Sequence, residues 1–116
     1  MPFDHVEGRT VASRMRELFG PDGQNWCRGE LYRDGAFCLL GAFQRARGVP
    51  LELMADTNKQ DDCYPSFEEE RILREAISLP DTATVYEWND QSATFADILR
   101  VLDRMEELEL AARVQP

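Results

Sequence analysis

The chain has 116 residues, 43% apolar and 30% charged, which is enough for one hydrophobic core and excludes two independent ones. Its 22 acids against 13 bases leave a formal net charge of -9, the opposite of the basic footprint that holds phosphate backbones, so free nucleic acid is not an expected partner. No apolar run approaches the roughly 18 to 20 residues of a membrane span, and three cysteines, at 27, 38 and 63, leave one unpaired in any disulfide scheme. With no apolar leader in MPFDHVEGRT, the expectation is one soluble globular domain over residues 1–116 in a reducing cytoplasm, away from membranes.

In chain order, a first helix is expected from near Asp4, where Asp4 and Glu7 form a capping-box-like pair, with Thr10 as a rival N-cap. Val11, Met15 and Leu18 are its apolar stripe, and Gly20 with Pro21 ends it. Residues 21 to 36 read as a short hairpin or extended arm carrying Trp26, Leu31 and Tyr32, with Asp34-Gly35 suited to a type I′ turn. A second helix is expected over 36 to 47, with Phe37, Leu40 and Phe43 on one stripe. Cys38, Gly41, Ala42 and Arg45 lie beside that stripe.

The polar, acidic stretch 51 to 65 reads as a long loop. Ser66 and Glu69 make a capping box that opens a third helix at 67 to 79, buried through Ile72, Leu73, Ala76 and Ile77. TATVYEWND, rich in β-branched and aromatic residues, reads as a short strand that pairs with the arm near Leu31. Thr94 and Asp97 cap the longest helix, 95 to 112, with Phe95, Ile98, Leu102 and Met105 in its stripe. The fold class is therefore mainly α, with α+β as the variant: a bundle of about four helices with a minor two-stranded β element.

Candidate chemistry is sparse. Cys38 falls in the first turn of the second helix, where a helix N-terminus makes a thiolate reactive, yet the one histidine, His5, lies on another element and no third group orients it. The competing reading, taken here as the better one, is that Cys38, Gly41 and Ala42 are small side chains at a close approach. Three cysteines and His5 make up a zinc ligand count but not the short ligand spacing, so no metal or cofactor is expected. Asn89 and Asp90 read as a turn hydrogen-bonded to backbone near the last helix, and Trp26 and Trp88 as core pillars.

Trp26, then DGAFCLLGAFQRARG, and after a gap WNDQSATFADILRVLDR, together resemble a group of small uncharacterised proteins of actinobacteria and their phages. That family is a domain of unknown function with a W…CxxGA…WND…T pattern. Trp26, Cys38, Gly41, Ala42, Trp88, Asn89, Asp90 and Thr94 fall on it. The chain departs from it at 51 to 65 and carries Ile98 where the pattern has valine. The resemblance implies no established activity. It agrees with a basic set that is all arginine except Lys59, since arginine codons are GC-rich.

The function expected is a non-enzymatic protein–protein interaction module, with a phage-encoded protein acting on a host protein as one form of it. The alternatives are a small cysteine-dependent enzyme or ligand-binding domain using Cys38 with Asn89 and Asp90, and, more remotely, an acidic nucleic-acid mimic. The expected contact surface is the last helix, where Leu99, Val101, Leu108 and Leu110 lie partly off the main stripe and Glu106, Glu107 and Glu109 rim them. A basic partner or self-association fits that surface, against the simpler reading of a helix buried on two sides.

Overall fold

A computed structural model describes residues 9–56, 58–91 and 94–113, the side chains at 60 and 61 excepted. Six α-helices and one two-stranded antiparallel sheet are present among them. Helix α1, Val11–Phe19, starts at Thr10, whose Oγ1 accepts from the Ser13 amide at 3.0 Å. The rival N-cap is therefore the one used, and the Asp4–Glu7 pair and His5 lie outside the described residues. Its buried side is Ala12, Met15 and Phe19, a step around the helix from the expected stripe, with Val11 and Leu18 half-buried.

The arm after α1 ends in a hairpin, β1 (Tyr32–Arg33) with β2 (Ala36–Phe37), in which Tyr32 faces Phe37 and Arg33 faces Ala36. Asp34 and Gly35 turn it with φ of 51° and 90°, the left-handed pair that a type I′ turn needs. The partner of the arm is thus within the arm. Trp26 also bridges Phe37 from the far side of β2.

Helix α2, Leu39–Ala46, is buried at every residue except Arg45 and is the middle of the core. It begins three residues later than expected because Phe37 belongs to β2 and Cys38 is the extended N-cap. The stretch 51 to 65 is not one long loop: it holds helix α3, Leu51–Ala55, which buries Met54, and a 3₁₀ turn at Gln60–Cys63. Gln44 reaches from α2 to donate to the Cys63 carbonyl at 2.9 Å, which fixes the turn against the core.

Helix α4, Arg71–Ile77, follows the Ser66–Glu69 box, in which each residue's amide meets the other's side chain at 2.8 and 3.1 Å. It buries Leu73 and Ala76, with Ile72 and Ile77 half-buried, and ends at left-handed Ser78, φ 66°. Buried Arg74 pairs with Glu70 at 3.0 Å and donates to the Pro80 and Ala83 carbonyls, tying the following turn to α4.

The segment expected to be a strand is helix α5, Val85–Gln91. Thr84 and Glu87 form a capping box there: the Glu87 amide donates to Thr84 Oγ1 at 3.2 Å, and that hydroxyl donates to Glu87 Oε1 at 2.9 Å. Local capping and the i,i+4 burial of Val85 and Asn89 outweigh the β-branched composition. Helix α6, Phe95–Arg113, opens at the reciprocal Thr94–Asp97 box and packs on both α1 and α4 through Ile98, Val101, Leu102 and Met105.

Candidate functional site

Asn89 is fully buried and makes four hydrogen bonds. Its Oδ1 accepts from Trp26 Nε1 at 2.7 Å and from the Leu39 amide at 3.0 Å, while its Nδ2 donates to the Cys27 carbonyl at 3.2 Å and to Asp90 Oδ1 at 3.0 Å. Asp90 Oδ1 also accepts from the Gly29 amide at 2.9 Å. One side chain of α5 therefore holds the arm and the start of α2 together. The junction expected at Asn89 and Asp90 exists, but it faces the arm and α2 and not the last helix, because α5 turns those residues inward.

Cys38 caps α2: its Sγ accepts from the Gly41 amide at 3.3 Å, and its own amide donates to the Leu31 carbonyl at 3.2 Å. It stands at the N-cap and not within the first helical turn. Burial pushes its thiol up to about 12 from an ordinary 9.0, against the smaller downward pull of the Gly41 amide. At neutral pH it is a protonated thiol inside the core. Burial likewise raises Cys27 and Cys63. The Leu31 carbonyl lies so close to Gly41 that a Cβ there would collide with it, while Ala42 is buried in the core beside it.

Trp26 is half-buried and packs on Phe95, with Arg28 over its face, 4.9 Å from the ring centre. Trp88 is a half-buried core neighbour, and Thr94 caps α6. The eight pattern residues thus divide into packing, capping and one buried hydrogen-bonded knot. Among the described residues no group of three or more His, Cys, Asp or Glu side chains is arranged to hold a metal ion.

The α6 candidates separate. Leu99 and Leu110 are 37% and 45% exposed, and Glu107 is exposed. Leu108 packs against the core. Glu109 takes the Val11 and Ala12 amides at 2.8 and 3.0 Å, one on each oxygen, and so caps α1 from across the fold. Glu106 pairs with Arg16 at 2.7 Å.

Two of the clefts adjoin residues named above. One, of about 730 Å³, is an open dish between Tyr32, Arg45, Pro50, Leu51 and Glu52, and Arg45 there donates to the Val49 carbonyl at 3.1 Å. The other is a notch of about 20 Å³ above Cys38, walled by Tyr64, Tyr86, Asp90 and the arm at Gly29 and Glu30. Sequence reasoning missed Tyr64 and Tyr86. The signal was the Tyr86–Asp90 spacing of four, which shares a face only once α5 is a helix.

Fold and site define a small, mainly helical protein assembled around a buried asparagine knot. The chain belongs to the family of unknown function DUF6197, whose profile matches residues 9–108. No curated protein and no solved structure matches it significantly.

Proposed function

We propose that the chain is a single-domain, non-enzymatic interaction module of the cytoplasm that docks on a basic protein partner through the outer face of α6. The observation that carries this reading is the pair Leu99 and Leu110, both exposed on a helix whose other sides are packed on α1 and α4. Eleven residues make about three turns, so the two side chains lie along one line of the helix. Exposed Glu107 and the net charge of -9 favour a basic counterpart. The arginine skew and the pattern resemblance support an actinobacterial or phage source, with a host protein as the partner in the phage case. The cysteine-dependent alternative draws no support from a core thiol that stays protonated.

The test is the double variant Leu99→Glu, Leu110→Glu. It should keep the wild-type circular dichroism spectrum and melting temperature within a few degrees, and lose the protein that the tagged wild-type chain recovers from an actinobacterial lysate. Retention of that protein by the folded variant refutes the α6 surface, and unfolding of the variant shows that the two leucines belong to the core.

A further inference from the structure

The notch above Cys38 is independent of the α6 face. Tyr64 and Tyr86 are 44% and 40% exposed, large aromatic side chains held beside each other with ring centres 5.9 Å apart and planes inclined by 48°. Asp90, one turn along α5 from Tyr86, and Glu30 on the arm add carboxylates to the same wall. The Asp90 carboxylate is held in place by the Gly29 amide and Asn89 Nδ2. Glu30 is already ion-paired with Arg33, at 3.7 Å, and an ammonium in the notch would share that carboxylate.

Exposed aromatic faces beside carboxylates select cations, since the ring quadrupole attracts positive charge and the carboxylates accept its N–H donors. Size narrows the choice. A cavity of about 20 Å³ holds one group the size of a water molecule. An ammonium has that size, whereas a guanidinium is a rigid planar fork of four heavy atoms. We infer that this notch receives the ε-ammonium of a lysine side chain presented by a protein partner, with the lysine stem lying along the two tyrosine rings.

The probe is a five-residue peptide, Gly-Ser-Lys-Ser-Gly with blocked ends, titrated into the ¹⁵N-labelled full chain, with arginine and norleucine versions alongside. The lysine peptide should shift the amides of Gly29, Glu30, Tyr86 and Asp90 saturably, and the arginine peptide should bind at least about five-fold more weakly. Norleucine should leave these amides in place. Removing one ring with Tyr86→Ala or Tyr64→Ala should weaken lysine binding by about two- to five-fold, the loss of one cation–π contact. Tyr86→Phe, which keeps the ring face, should bind as the wild type does. Equal binding of norleucine, undiminished binding by both alanine variants, or saturation by ammonium chloride alone at the same concentration as the peptide would each overturn the inference. A failure here leaves the α6 surface untouched, because neither tyrosine is on α6.

Discussion

Asn89→Ala is the perturbation with the largest expected consequence for stability. The side chain is fully buried, and truncating it strands the Trp26 indole N–H, the Leu39 amide and the Cys27 carbonyl. Each buried polar group left without a partner costs about 1–3 kcal/mol. Because the three groups share one small region, a water molecule in the vacated space would recover part of that loss, and about 3 kcal/mol is expected in total. Against a typical stability of roughly 5–15 kcal/mol, this is a large fraction. At about 4 °C per kcal/mol for a domain of this size, the melting temperature should fall by roughly 12 °C. Urea unfolding followed by tryptophan fluorescence reads the effect directly, since Trp26 loses its hydrogen bond in the variant. Asn89→Asp is the control: it keeps an acceptor for Trp26 and Leu39 but sets a carboxylate against the Cys27 carbonyl and Asp90, so it should be destabilised as well. A loss below about 1 kcal/mol for the alanine variant would show that the knot is not what joins the arm to α2.

Gly41→Ala drives a methyl group into the Leu31 carbonyl, a backbone atom that cannot turn aside, and should cost about 1–3 kcal/mol or prevent folding, as judged by urea midpoint and soluble yield. Glu109→Ala leaves the Val11 and Ala12 amides of α1 uncapped and should cost about 1 kcal/mol in thermal unfolding, with Glu109→Gln recovering part of it. The native Cys38 thiol titrates at about 12 against an ordinary 9.0, so above pH 9 the unfolded chain gives up that proton first. Stability from this group is complete below pH 9 and declines by about 1.4 kcal/mol per pH unit toward pH 12, with Cys27 and Cys63 adding in the same direction. In denaturation series from pH 8 to 10.5, Cys38→Ala should therefore show a shallower decline than the wild type, and parallel curves would refute the assignment.

What could be read from the sequence was what is local. The Ser66–Glu69 and Thr94–Asp97 boxes and the Asp34–Gly35 turn are written three residues or fewer apart, and each has its expected partners or dihedral angles. The same pattern was available at Thr84–Glu87, where the β-branched, aromatic composition suggested a strand although the residues cap a helix. The Asn89 network was beyond local reading, since its partners Leu39, Cys27 and Trp26 lie 50, 62 and 63 residues away. No short-range rule selects those partners. On α6, the surplus of apolar residues was visible, but its division was not: Val101 is core because α1 and α4 flank the helix, and Glu109 leaves the surface to cap α1.

The asparagine knot also bears on where chemistry can occur in this fold. The N-terminus of α2 is a place where unpaired amides and the helix dipole would ordinarily attract an anion or activate a thiol. Here the Leu39 amide goes to Asn89 Oδ1, the Gly41 amide goes to Cys38 Sγ, and the Leu31 carbonyl closes over both Cys38 and Gly41. These two amides are taken up inside the protein. The motif that looks most like a reactive centre in sequence is therefore a joint, in which Asn89 fastens the arm to the start of α2.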